Sequence, residues 1–360
     1  MERTGGDVRR LTPHLSVAVV ICAYTERRWD DLVGGVTEAN RQLAALVRDG
    51  GGLRGDSEVL VVIDHNQQLL ERAQRELGEL ARIVPNARRQ GLSGGRNTAV
   101  DEATADIVVF LDDDARPRPG WLAALCAPYA NADVLAVGGR AAPQWPATGR
   151  PAHLPAPVQS EVPGEFDWII GCTYAGQPEE LASVRNLMGC NMSFRREVFD
   201  RIGGFAEDLG RVGTVPLGCE ETELCIRARQ DRPTGDILFE PAAAVSHRVT
   251  PERTTWRYFW SRCRNEGISK AAVATKVTAD AALETERGYV LRTLPRALLR
   301  LARQLPRDPG TSLQGMVAIV GGAAVTAYGY ATGRWHLRGK HPLDAPRPEA
   351  HPEIRSAAAR

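Results

Sequence analysis

The residues with the most chemical content are carboxylates in two groups. Asp112, Asp113 and Asp114 close the apolar run Ile107 to Leu111, and Glu220, Glu221 and Glu223 crowd the stretch GCEETELCIR. Successive carboxylates repel unless something positive sits among them. A hard divalent cation takes carboxylate oxygens and bridges them to phosphates. The acidic turn therefore reads either as a metal–diphosphate site or as a solvated turn after a core strand. The glutamates also read in two ways. Acidic side chains favour the first turn of a helix, where the dipole is positive. Crowded carboxylates also have a raised pKa, which suits a general base that takes a proton from a reacting hydroxyl. A third stretch, Arg89 to Thr98 (RQGLSGGRNT), carries Gly91, Gly94 and Gly95. These let a ligand approach the backbone, and Ser93 is the expected N-cap of a helix running to about Ala103. Free amides at that helix start, with Arg96, suit a phosphate. No GK[ST] follows and no GxGxxG occurs, so neither an ATPase loop nor a dinucleotide fingerprint is present.

These groups need strand and helix ends to hold them. Ser16–Cys22, Glu58–Ile63, Arg82–Val84 and Ile107–Leu111 are apolar runs of strand length, separated by helical patterns over 28–48, 67–80 and from Ser93. Alternating strands and helices predict an α/β fold with a doubly wound, mostly parallel sheet, whose ligand crevice lies at the carboxyl ends of the strands. The second half adds a helix over Trp121–Ala130, a strand over Val134–Gly139, a Pro- and Gly-rich insertion over 141–185, a helix over Arg195–Ile202 and a strand ending near His247. Trp145, Trp168 and Tyr174 in the insertion fit local packing better than a sugar platform.

The whole chain sets limits. Its 360 residues suffice for two average domains or one large one, and 43% hydrophobic with 25% charged residues is ordinary for a globular protein. A net charge of +1 gives no bias toward nucleic acid. The cysteines are seven, an odd number with no CxxC, which predicts reduced thiols in a cytoplasmic compartment. No secretory signal is visible in the first fifteen residues.

Four features fall in a fixed order: a strand ending in Ala23-Tyr24, a strand ending in Asp64, the GLSGGRN segment, and FLDDD. Together they resemble the nucleotide-binding half of a family 2 glycosyltransferase with the GT-A fold, over about residues 16–125. The resemblance implies a metal-dependent, inverting transfer from a nucleoside-diphosphate sugar to an acceptor hydroxyl. It implies that Ala23, Tyr24, Glu26 and Asp64 face the base, that Arg96 and Asn97 lie along the ribose and diphosphate, and that Asp112 and Asp114 form the D-x-D pair with Asp113 between them. It further implies a Mn²⁺ or Mg²⁺ ion held by Asp112, Asp114 and His247, and a sugar or acceptor pocket near Gly189 and Asn191. GCEETELCIR is similar to the family's E-D-x-x-L-x-x-R motif, with Glu221 where Asp is commoner. This makes Glu221 the base and Glu220 its neighbour, while the added methylene leaves open which of the two takes the proton. Absence of Q-x-x-R-W favours the non-processive bacterial type, with the basic, aromatic stretch 253–267 as a helix at the rim.

The C-terminal segment differs in character. Leu291, Leu294, Leu298, Leu301 and Leu305 oppose Arg292, Arg296, Arg300 and Arg303, as in an amphipathic basic helix. Met316–Ala331 is apolar and rich in Gly and Ala, near the lower limit for a membrane span. With Arg307, Arg334, Arg338 and Lys340 at its flanks, the segment is expected to lie on the cytoplasmic face of a membrane, to cross it, or to pack on the catalytic domain or on a second copy. The expected divisions are 1–15 (extension), 16–140 (nucleotide-binding half), 141–280 (acceptor and catalytic half), 281–340 (helical segment) and 341–360 (tail). Expected partners are a nucleotide-sugar donor and a sugar, lipid-linked or small-molecule acceptor. Two rivals remain: a metal-dependent phosphohydrolase, and a membrane-anchored nucleotide-binding scaffold without catalysis.

Overall fold

The computed structural model describes residues 15–48, 52–157, 162–210, 218–277 and 288–337. The expected tail, most of the N-terminal extension, and Arg338 and Lys340 lie outside the described residues. The strands are β1 (Val17–Ala23), β2 (Glu58–Ile63), β3 (Arg82–Pro85), β4 (Ile107–Asp112), β5 (Ala115–Pro117), β6 (Val134–Gln144), β7 (Ala182–Ser183), β8 (Asn191–Arg195) and β9 (Asp236–Arg248). Among the described residues they form one sheet in the order β3-β2-β1-β4-β8-β6-β9-β5, with β7 on β9. The first four strands are parallel, as their continuous apolar runs predict. Beyond β4 the sheet is mixed: β8 runs antiparallel to both β4 and β6, while β6 and β9 are parallel. The stretch around Asn191, expected only as pocket lining, is thus a central strand.

Helices cover both faces, and strand alternation decides which residues meet them. Val17, Val19, Ile21, Ile107, Val109 and Leu111 pack under α1 (Trp29–Arg48), α2 (Gln67–Leu77) and α4 (Trp121–Cys126). Ala18, Val20, Val108 and Phe110 pack on α3 (Leu92–Glu102), α5 (Arg196–Ile202) and α6 (Glu220–Asp231). Phe110, directly behind the acidic turn, meets Phe194, Phe199 and Phe205 edge-on at centroid distances of 6.5, 6.1 and 5.2 Å. The helix α3 starts one residue before Ser93. Its N-cap is Gly91, at φ 128°, and the Ser93 hydroxyl instead donates to the Leu209 carbonyl.

A third core joins the 145–172 segment to α7 (Trp256–Lys276), α8 (Leu294–Gln304) and α9 (Pro309–Leu337). The helices α7 and α9 touch at two glycine notches. A Cβ on Gly267 would collide with the Thr326 carbonyl, and one on Gly329 with the Arg264 carbonyl. The helix α8 buries Leu294, Ala297 and Leu301 but leaves Leu299 exposed, while Leu291 is exposed just before it. Arg300, expected on the solvent face, instead turns inward to the Glu165 carboxylate at 2.8 Å and the Ala156 carbonyl at 2.6 Å. The 29-residue α9 is long and apolar enough to cross a membrane, and one flank of it is buried against α7 and α8.

Candidate active site

The carboxyl ends of β1 and β4 lie side by side, with Cys22 in register with Asp112. A cavity of about 720 Å³ opens there, and it is the place where the sequence motifs converge. Ala23, Tyr24 and Asp64 line it from the first two strand ends, Gly91 and Arg96 from α3, Asp112 and Asp113 from the acidic turn. Gly189, Glu220, Glu221 and His247 line it from the second half of the chain.

Arg96 is the centre of the site. Its guanidinium is buried between the two halves and donates to Glu220 Oε1 at 2.8 Å, to the Gly189 carbonyl at 2.8 Å and to Asp112 Oδ1 at 3.3 Å. A buried cation needs such partners, because desolvation otherwise outweighs its attraction. The other two aspartates are also counter-charged. Arg28 Nη1 sits 2.6 Å from Asp113 Oδ1 and 3.1 Å from Asp114 Oδ2, and Arg253 Nη2 lies 3.2 Å from Asp114 Oδ2. His247 Nε2 stands 3.1 Å from Asp114 Oδ1. It is placed there by the antiparallel β5–β9 pairing, which sets Ala115 opposite His247. Burial and the neighbouring Asp114 raise Asp113 to about 7, against the pull of Arg28. Asp114 is equally buried, yet His247, Arg253 and Arg28 hold it well below the usual carboxylate range. One ligand atom from each of Asp112, Asp114 and His247 lies within 4.8 Å of the others. Two carboxylate oxygens and an imidazole nitrogen form a donor set that suits Mn²⁺ or Mg²⁺, so these residues fit the expected ion.

The glutamates divide cleanly. Glu223 grips Arg227 through both oxygens, at 2.7 and 2.8 Å, and Arg227 in turn ties down the Ile202 and Gly204 carbonyls. Glu220 is committed to Arg96. Glu221 has neither partner. Burial and the adjacent Glu220 raise it to about 7, overriding the helix N-terminus that should lower it. The turn that presents the pair is strained: Cys219, the N-cap of α6, has φ 73°, a left-handed conformation that non-glycine residues rarely adopt.

Four sequence candidates do not line the cavity. Asp114 is buried against His247, Arg28 and Arg253. Glu26 is exposed on a short 3₁₀ turn, Glu26–Arg28. Asn97 faces away, its amide clasping the Phe205 backbone by donating to the carbonyl at 2.9 Å and accepting from the N–H at 2.8 Å. Asn191 is fully buried, accepting from Trp121 Nε1 at 2.8 Å and donating to the Ala243 carbonyl at 2.8 Å, so it stitches β8 to its surroundings. Asp64 lines the cavity while holding the glycine loop, accepting from Asn86 Nδ2 at 2.7 Å and from Gly91 N–H at 3.0 Å. Missing from the sequence reading were Arg28 and the inward role of Arg253. Only charge and composition marked them, since their partners are 85 and 139 positions away. Trp168 and Tyr174, expected to pack locally, do line the cavity.

Comparison with known proteins bears on this geometry directly. The family model described as glycosyl transferase family 2 matches residues 18–203, just over half of the 360-residue chain. This chain belongs to that family. Its fold is GT-A. Over 324 residues it is 28% identical to the glucosyl-dolichyl phosphate glucuronosyltransferase of Haloferax volcanii, covering 89% of this chain and 96% of that protein. It is 26% identical over 199 residues to the pre-mycofactocin glycosyltransferase of Mycobacterium tuberculosis, covering 54% of this chain and 37% of that protein. A mannosyltransferase from Pyrobaculum calidifontis, solved with GDP-Man and Mn²⁺, superposes with a TM-score of 0.54 at 18% identity. That likeness of fold covers 91% of this chain and 90% of the other. As a family 2 glycosyltransferase the protein is a sugar-transferring enzyme, which sets aside the phosphohydrolase and scaffold readings.

Proposed function

We propose that this glycosyltransferase binds a nucleoside-diphosphate sugar along the β1, β2 and β4 strand ends and transfers the sugar with inversion to an acceptor hydroxyl beside Glu221. One observation carries the reading: a single cavity joins Arg96 and the Asp112–Asp113 turn to a carboxylate pushed to about 7. Ala23, Tyr24 and Asp64 lie where the base would sit, Arg96, Asp112 and Asp113 face the ribose and diphosphate, and Gly189 borders the sugar. Glu221 takes the hydroxyl proton as the acceptor oxygen bonds to the anomeric carbon. The carbon–oxygen bond to the diphosphate breaks, and its electron pair leaves with the nucleoside diphosphate, whose charge Arg96 faces. Asp112, Asp114 and His247 would hold Mn²⁺ or Mg²⁺, which when bound supplies further stabilisation of the leaving diphosphate. The boundary between the two catalytic halves falls near 140, inside β6.

The test is release of nucleoside diphosphate from a panel of UDP-, dTDP- and GDP-sugars. EDTA or Asp114→Asn should abolish release and Mn²⁺ should restore the EDTA-treated enzyme; release indifferent to both would remove the metal assignment.

The same reading places the enzyme at the cytoplasmic face of a membrane. Leu313, Val317, Val320, Tyr328 and Trp335 make an exposed apolar stripe along α9, and Arg334 adds positive charge at its end. The lipid-linked sugar in the name of the Haloferax relative supports an acceptor presented on a lipid. Flotation with vesicles containing phosphatidylglycerol tests this, and a protein that stays dimeric in solution and never floats would assign the stripe to a second copy instead.

A further inference from the structure

The cavity does not end at Glu221. It continues along α7, where Arg262, Glu266 and Lys270 follow one another at helical spacing on a single face. Arg262 Nη2 is 3.2 Å and Lys270 Nζ 3.6 Å from the Glu266 carboxylate, so two cations flank one anion inside the lining. Glu266 also accepts from Cys219 Sγ at 3.5 Å, which ties this ladder to the turn that presents Glu221. The same cavity also has an apolar wall. Leu294 at the start of α8, and Ala323 and Ala327 on α9, form it, and α9 is held close to α7 by the glycine notches. Three lining residues, Val290, Ala324 and Ala327, are also exposed at the surface. The apolar arm therefore has an apolar mouth, and that mouth lies on the helix carrying the exposed stripe.

We propose that this arm is the acceptor site, built for a hydroxyl-bearing head joined through a phosphate to a hydrocarbon chain. The phosphate pairs with Arg262 and Lys270, the chain lies between Leu294 and α9, and it leaves past Val290 and Ala327 toward the lipid. This inference rests on the transferase reading above. The combination of chemistries in one cavity carries it: a carboxylate, paired cations, and an apolar wall open to an apolar surface. A sugar or a small polar acceptor would leave the apolar wall unexplained. A guanidinium and an ammonium about a phosphodiester or phosphomonoester pair with its anionic oxygens, which the single neutral oxygen of an alcohol matches only weakly and a hydrocarbon not at all.

Farnesyl phosphate, below its micelle concentration, is the probe, with binding to the full-length protein followed by calorimetry. Farnesol and inorganic phosphate at the same concentration are the two control arms, and UDP or GDP with Mn²⁺ reports the donor site separately. Farnesyl phosphate should bind at least about tenfold more tightly than either control, since one fully formed charged contact is worth about that factor. Arg262→Gln with Lys270→Gln should remove the preference over farnesol, and Ala327→Trp should weaken both farnesyl ligands while sparing inorganic phosphate, all with nucleotide affinity unchanged. Equal affinity for farnesol and farnesyl phosphate overturns the proposal. So does farnesyl phosphate binding that survives both the cation and the Ala327→Trp variants, or equal competition by phosphatidylglycerol vesicles. Failure of every nucleotide to bind would instead count against the donor reading, whatever the lipid does.

Discussion

At the scale of single residues, the site turns on how burial is compensated. Glu220 and Glu221 are neighbours in sequence with opposite situations, one spent on Arg96 and one left to titrate. Glu221→Gln should keep nucleotide affinity and lower kcat by about 10²–10⁴-fold, the usual worth of a general base. Wild-type turnover in that variant would assign the proton elsewhere. The profile of kcat/KM against pH should rise through about pH 7, because a base at Glu221, as proposed, must be ionised to act. Stability moves the other way. A carboxyl whose folded pKa lies above its ordinary value of 4.5 favours folding while protonated, and that contribution is lost as pH rises through about 7. Glu221→Gln should therefore melt higher than the wild type at about pH 8 and the same below about pH 4.5, as a thermal melt series would show. Glu220→Ala is expected to do the reverse. It takes from the buried Arg96 guanidinium its nearer carboxylate, leaving Asp112 and the Gly189 carbonyl, which typically costs about 1–3 kcal/mol, and unfolding in urea would measure it. Much of this was legible in sequence, since both glutamates and the three aspartates are contiguous. The arginines that neutralise them were not, because a long side chain finds its carboxylate through the fold and not through spacing.

At the scale of elements, the parallel half was legible because strands buried on both faces must be written as unbroken apolar runs. The antiparallel β8 was not, since Asn191 and Ser193 interrupt its pattern and are satisfied by tertiary partners, among them Trp121 and Tyr129. Asn97 misled in the same way: polar, beside a phosphate-type loop, yet used as a clamp on the GGF turn, where a Cβ on Gly204 would strike it. Phe110 links this packing to the chemistry. Truncation to Ala should cost about 3–5 kcal/mol, the range for buried aromatic residues, and loosen the strand that ends in Asp112. A urea midpoint shift with unchanged slope would measure that cost. A loss under about 1 kcal/mol would mean that the four-ring cluster is not a cooperative unit.

At the scale of the molecule, the cavity unites strand ends from the first half, a helix start from the second, and the C-terminal helices. Composition predicted the apolar character of α9 but could not tell a span from a packed helix, because both need small residues at the contact face. The structure buries one flank through Gly267 and Gly329 and exposes the other. Gly267→Val should separate α9 from α7, and limited proteolysis would then cut α9 off while donor binding survives. Trp335, 81% exposed, offers a spectroscopic handle. Its emission, taken as the difference from Trp335→Phe, should shift to the blue with anionic vesicles and return on adding salt, which screens charge beyond about 10 Å at 0.1 M.

The pairing of β5 with β9 has one more consequence. Only three residues of β5 pair, and they put His247 opposite Ala115, next to Asp114. The strand β6 holds the same histidine from the other edge, with Pro143 opposite it, so a slip of one position in the short β5 would leave the imidazole in place and displace Asp114 without unfolding the sheet. Such a protein would keep its fold while losing the approach of Asp114 to His247 on which the proposed ion site depends. If the proposed site holds the ion, the metal content of a preparation would report the register of this one short strand.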